Sequence, residues 1–308
     1  MIDVRRLRIL RELDQRGTVA AAAGALHLTP SAVSQQLATL ARETGVTLLD
    51  PDGRRLRLTA AARVLLGHAD EVFAQLERAQ ADLDAFAEGE VGTVRIAAFP
   101  TATVGIVVPA LRALRETHPR LDLTINDALV PECYDQLSSG ELDVAVTVRD
   151  TRTAALPRFR QVHLLDDPLD LVVPRDHPLA RSTSVTLDAL ADEIFVGGTD
   201  EMPCHQIVLT ACAAAGFAPK VRHRSDDYAA LFGLIGAGCG VGLIPRLSGL
   251  SSTDEAVVRP LSDPTPPTRR LYATLRQGSQ TAPHIAAVVD AISEVGRRLT
   301  QPALVTAD

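Results

Sequence analysis

The apolar positions of the chain follow two rhythms, and the change between them divides the protein. Up to about residue 88 the rhythm is helical. Thr18 can cap the run "VAAAAGAL", whose alanines favour helix and whose small side chains let a second helix approach closely. "HLTP" interrupts it. Thr29 as cap, with Pro30 at the first helical position, then starts another helix that runs to about Arg42. On that helix Val33, Leu37 and Leu40 fall at i, i+4 and i+7 and face inward, while Ser31, Ser34 and Gln35 face out. "DPDG" predicts a tight turn between two short strands, a small wing that carries Arg54, Arg55 and Arg57.

From about Thr59 to Glu88 only Gly67 interrupts a helix of roughly 45 Å. Leu65, Ala69, Val72, Leu76, Ala79, Leu83 and Phe86 are spaced alternately four and three apart, which predicts a dimerisation coiled coil. Two copies would place two outward-facing helices on one side of a duplex, so an inverted-repeat site is expected.

Beyond "EGEVGTVRI" short apolar strands alternate with helices. "VRIAAF", "LDLTI" and "LDVAVT" form one series, and "LDLVV", "EIFVG", "PKVRH" and "VGLIP" a second, with helices near 204–215 and 227–236. The chain returns through "RRLYATL" to a last helix near 283–299. Alternation of this kind predicts an α/β unit with a parallel sheet covered on both faces. The expected layout is residues 1–58, a helix over 59–88, and a unit over 92–308. That last unit divides into a subdomain of about 92–165 with 268–300 and another of about 166–267.

A cleft between two such subdomains is a normal place for a ligand, which open α/β sheets bind beyond their strand carboxyl ends. "PTAT" and "GTDEMPCH" follow two strands there, making Thr101, Thr103 and Thr199 the first candidates for effector contacts, Met202 and Pro203 shape-setters, and Thr147 a further candidate. The loop "NDALVPE" offers Ala128, Leu129 and Val130, which hints at a less polar effector.

Charge sharpens this division. The net charge is −7, yet residues 1–60 hold nine arginines against six acids, net +3, which leaves −10 for the rest. A basic end on an acidic body fits a nucleic-acid module carried by a different domain. Short uncharged donors and acceptors on an exposed helix suit the major groove, where Gln reads adenine bidentately. "MIDVRRLRIL" has no apolar signal core, so a cytoplasmic address is expected and no membrane partner. The cysteines at 133, 204, 212 and 239 have no spacing that makes a disulfide framework or a metal clasp; neither metal nor cofactor is expected.

From "LRILRELDQRGTVAAAAGALHLTPSAVSQQLATLARETGVTLL" through "RRLRLT", and in the order of its later segments, the chain resembles the LysR-type transcriptional regulators. The resemblance implies a winged helix-turn-helix, a dimerisation helix and an effector domain of two Rossmann-like subdomains with the type II periplasmic-binding-protein architecture. It implies no enzymatic activity, and it implies a homodimer or homotetramer that binds double-stranded DNA under the control of a small molecule. Thr18, Thr29, Pro30, Ser31, Ser34 and Gln35 stand at positions that commonly meet DNA in the family. Pro51 stands where members usually have an Arg, which moves weight onto the wing arginines. Two alternatives stay open: a thiol switch using Cys204 and Cys212, and a cytoplasmic solute-binding protein without specific DNA readout. "GAGCGVG" precedes a strand instead of following one and lacks the dinucleotide-binding spacing.

Overall fold

The computed structural model describes residues 2–52, 55–86, 92–127, 132–148, 157–200 and 202–300. The chain forms two compact units, residues 1–81 and 82–308. Among the described residues no helix is long and apolar enough to cross a membrane.

The first unit opens with α1 (Val4–Arg16), α2 (Val19–Ala25) and α3 (Pro30–Thr44). Thr18 Oγ1 accepts from the Ala21 N–H and Thr29 Oγ1 from the Ala32 N–H, so both caps satisfy helix donors that have no partner within the helix. His27 closes α2 in the left-handed region at φ 53°. The hairpin β1 (Leu49–Asp52) and β2 (Arg55–Leu58) follows, and then α4 (Ala60–Phe86), whose first turn is capped by Thr59. Leu10, Leu13, Ala22, Val33, Leu37 and Leu40 close one core. Each leucine fully buried there contributes about 1.5–3 kcal/mol.

The start of α4 belongs to that core. Ala62, Leu66 and Ala69 are buried in it and Leu65 packs on it. Ala69 is therefore withdrawn from the expected intermolecular seam, because its small side chain already fills space inside its own unit. The rest of the stripe is bare: Val72 is 39% exposed, Leu76 50% and Leu83 64%. Ala79 is exposed too. Phe86 ends the helix, its side chain outside the described residues.

The second unit holds β3 (Gly92–Ala98), α5 (Pro100–Ala102), α6 (Val108–Thr117), β4 (Leu121–Asn126), α7 (Glu132–Ser139), β5 (Val144–Val148), β6 (Phe159–Pro174), β7 (Ile194–Gly197) and α8 (Pro203–Ala214). It continues with β8 (Lys220–Arg224), α9 (Tyr228–Gly236), β9 (Gly242–Pro245), β10 (Ala256–Arg259), β11 (Thr268–Arg276) and α10 (Pro283–Thr300). A π-helical turn, Thr103–Val107, joins α5 to α6. Pro109 has no N–H to return to the Gly105 carbonyl, and a wider turn relieves its ring there.

The sheet is mixed, which corrects the expectation of a parallel one. β3 runs parallel to β4 and β5, but β11 lies antiparallel between β5 and β6, and β6 is antiparallel to β9 and β10. The cause is that two strands serve both subdomains. Residues 159–168 of β6 pair with β11, and residues 169–174 pair with β9 and β10. A strand that leaves one subdomain and its neighbour that returns must run in opposite senses. β7 and β8 form a separate parallel pair.

Asp143 locks the first subdomain. Arg95 donates to it from its backbone N–H (2.9 Å) and from Nε (3.0 Å), and Arg276 Nη2 donates at 3.2 Å. Burial alone would raise this carboxyl, but these donors hold it below its ordinary 3.8. A lowered folded value means stability that is present above the unfolded value and lost as pH falls through the folded one. Asp143→Asn is accordingly expected to flatten the acid limb of a melting-temperature profile below about pH 4; an unchanged limb would contradict this assignment.

Candidate functional site

On α3 the inward set is buried and Thr29, Pro30, Ser31, Ser34 and Gln35 are all exposed on the other side. Thr18 is exposed at the start of α2. The side chains of Thr29 and Ser31 are 3.1 Å apart, so the hydroxyls at the helix N-terminus form one polar cluster. Gln36 is turned away: its Oε1 accepts from Arg6 Nε at 2.8 Å, and Arg6 also pairs with Glu43. Arg6 thereby ties α1 to α3 and fixes how the latter is presented. Gln35, one residue earlier, is exposed. Sequence reading missed Ala38 and Arg42, which continue the Ser31 and Gln35 stripe at i+7 and i+11; Arg42 is exposed and steadied by Thr39 at 2.9 Å. On the wing, Arg57 is exposed, Arg55 lies in β2, and Arg54 falls outside the described residues.

In the second unit the expected effector residues separate. Thr101, in α5, accepts from Arg269 Nη2 at 2.8 Å. Thr103 donates to the carbonyl of Ala98 and Thr147 is buried against Thr274 at 2.9 Å, so both are satisfied within the first subdomain. Thr199 donates to Asp226 at 3.0 Å, Pro203 is the exposed first residue of α8, and Met202 lines a pocket. The loop at 128–130 lies outside the described residues.

What joins Thr101 to Cys204, two residues beyond Met202, is a side chain that sequence reading did not single out. Arg269, on β11, is only 2% exposed. Its Nε donates to Asp167 Oδ2 at 2.7 Å, its Nη2 to Thr101, and its Nη1 points at Cys204 Sγ at 3.9 Å. The guanidinium also lies 5.0 Å from the Phe99 ring and 6.0 Å from that of Tyr228. Asp167 is held from its other side by the Leu247 N–H at 2.9 Å. One buried ion pair therefore gathers a strand crossing, α5, α8 and α9. Its trace in the sequence is three aspartates within the run "LLDDPLDLVV" and two arginines at the head of "RRLYATL".

Beside it lies a narrow pocket of about 20 Å³, space for one water molecule. Phe195, Val196, Met202, Cys204, Tyr228 and Leu231 are among its walls. The Tyr228 hydroxyl is buried with no nitrogen or oxygen partner among the described residues and only the Cys204 sulfur beside it. Burial, with Cys204 beside it, raises its pKa further, so it remains a neutral phenol. Cys204 and Cys212 share α8, where eight residues of rise separate them by about 12 Å, against the ~7 Å a disulfide tolerates. Burial pushes the Cys212 thiol up to about 11, which makes it a core residue of low reactivity.

Residues 4–63 match the family described as bacterial regulatory helix-turn-helix protein, lysR family, and residues 87–297 match the LysR substrate binding domain. The chain belongs to the LysR family. A LysR regulator thus carries a DNA-binding helix-turn-helix and an effector-binding domain on one chain. Among its relatives is the transcriptional dual regulator GltC of Bacillus subtilis, 28% identical over 263 residues, covering 84% of this chain and 85% of that one. The fold is similar to that of full-length CbnR complexed with its target DNA, at TM-score 0.58 and 22% identity, covering 96% of this chain and all of the other. It is also similar to a hydrogen peroxide-bound OxyR mutant of Corynebacterium glutamicum, at TM-score 0.61 and 20% identity over 97% of this LysR member and 94% of that chain.

Proposed function

We propose that this LysR member is a cytoplasmic, sequence-specific regulator that binds an inverted-repeat DNA site as a homodimer or homotetramer. A small molecule held near Arg269 sets its affinity or bend on that site. The observation that carries the DNA half is the exposed polar face of α3 over a closed apolar core, presented at a fixed angle by Arg6. The observation behind the effector half is the convergence of both subdomains on one buried guanidinium beside a pocket. Coupling between the two sites is a free energy and works in both directions: whatever ligand alters DNA affinity must itself bind differently when DNA is present.

The test is capture of genomic fragments on the purified protein at moderate and high salt. A few inverted-repeat sites should be recovered and should be lost with Ser34→Ala/Gln35→Ala. Gln35→Ala alone should lose about 1–3 kcal/mol of discrimination at one base pair in each half-site. Weakening that is uniform across sequences, with a shallower salt dependence, would instead mean that Gln35 touches phosphate only.

A further inference from the structure

The positive charges around the pocket are all spoken for. Arg269 gives its three nitrogens to Asp167, Thr101 and Cys204, and both oxygens of Asp167 are occupied. Arg246 holds Asp170 through two bonds of 2.8 and 2.6 Å. Arg224 and His205 both face Asp200, at 2.9 and 3.2 Å. Only the first of these pairs is buried, and a carboxylate in the pocket would have to break it to reach the Arg269 guanidinium; Arg246 and Arg224 are 57% and 40% exposed and are not among the pocket's walls. Leaving a charge buried without a partner costs several kcal/mol. Among the described residues of the pocket's mostly apolar walls, the Tyr228 hydroxyl has no nitrogen or oxygen partner and only the Cys204 sulfur beside it.

We propose that the molecule taken by this site is uncharged, mainly apolar, and carries one hydrogen-bond acceptor, which the Tyr228 hydroxyl meets. This rests on reading the Arg269 region as the effector site, and it names the ligand class for it. The pocket as it stands admits only a water-sized guest, so a larger one enters by displacing Met202. That side chain is unbranched and flexible, and the adjoining Gly197 and Gly198 present no side chain to obstruct its movement. The guest then exchanges a weak contact of the hydroxyl with the Cys204 sulfur for a hydrogen bond to oxygen, and Arg269 keeps its partners throughout.

The experiment is a thermal-shift and calorimetric screen of the full-length protein against pairs of fragments that share a skeleton, an amide set against the corresponding carboxylate. Benzamide with benzoate, and phenylacetamide with phenylacetate, begin the panel. Neutral members are expected to raise the melting temperature, and Tyr228→Phe is expected to weaken them about tenfold in Kd, one hydrogen bond's worth. Phe keeps the ring and removes only a hydroxyl without a nitrogen or oxygen partner, so the variant should fold with unchanged stability. Carboxylates that bind in preference to their neutral partners would overturn the proposal. So would neutral members that bind Tyr228→Phe equally well, or a neutral set that never binds. Neutral fragments that bind through Tyr228 but leave DNA affinity untouched would preserve the ligand class while removing the effector reading, so the two failures are separable.

Discussion

Arg269→Met is expected to destabilise the second unit by about 3–5 kcal/mol, the loss seen when one partner of a buried ion pair is removed. At about 2–4 °C per kcal/mol for a unit of this size, the melting temperature should fall by roughly 10 °C. The reason is what stays behind. Asp167 would keep the Leu247 N–H at 2.9 Å but lose the charge opposite it, in surroundings where both side chains are 2% exposed. Burial already pushes the Asp167 carboxyl upward against the pull of Arg269. Without that pull, its folded value rises further above the unfolded one. A carboxyl of that kind penalises the folded state above its pKa, and the penalty fades as pH falls through it. The deficit of Arg269→Met should therefore shrink on mild acidification. Arg269→Met/Asp167→Leu should recover most of the loss at neutral pH, because an apolar pair of similar volume needs no compensating charge. A single variant within about 1 kcal/mol of the parent, in the range of an unremarkable surface change, would show that the pair is not what organises the site.

Leu76→Glu should abolish self-association while leaving the chain folded. Leu76 is half exposed on α4 and belongs to no core of its own unit, so the protomer loses little. In a coiled coil with a second copy, the same substitution would bury two carboxylates against each other in an apolar seam with Val72, Ala79 and Leu83. Sedimentation should give the mass of one chain where the parent gives two or four, with the helical circular dichroism signal retained. An unchanged mass would remove this stripe as the association surface and with it the reason to expect paired half-sites.

Much of the architecture was legible because it is local. The caps at Thr18 and Thr29, the inward Val33, Leu37 and Leu40, and strands such as "LDLTI" and "VGLIP" announce themselves within a few residues. β6 was only half visible. Its apolar end reads as a strand, but Asp166 and Asp167 break the earlier part of the pattern, and nothing nearby says that Asp167 is neutralised by a residue 102 positions away. The same holds for the proposed site. Thr101 and Met202 follow from where loops fall at strand ends, whereas Arg269 and Tyr228 are recruited by tertiary contacts that local periodicity does not encode. Ala69 shows the opposite error: a perfect heptad position is consumed by a neighbouring core, and spacing alone does not tell which surface a small residue will meet.

The two shared strands also limit how this effector domain can move. β6 and β11 lie side by side and antiparallel where they pass between the subdomains, with Arg269 clamped to Asp167 at the passage. A two-stranded ribbon resists stretching and shear, because both would break its ladder of hydrogen bonds, yet it accommodates twist readily. Motion transmitted through such a ribbon is expected to be torsional, one subdomain turning against the other about the ribbon's own axis as a blade turns on a shaft. Under the proposed function, a signal from the pocket would emerge as an angle, which is the quantity that a paired DNA reader would need in order to be set or released.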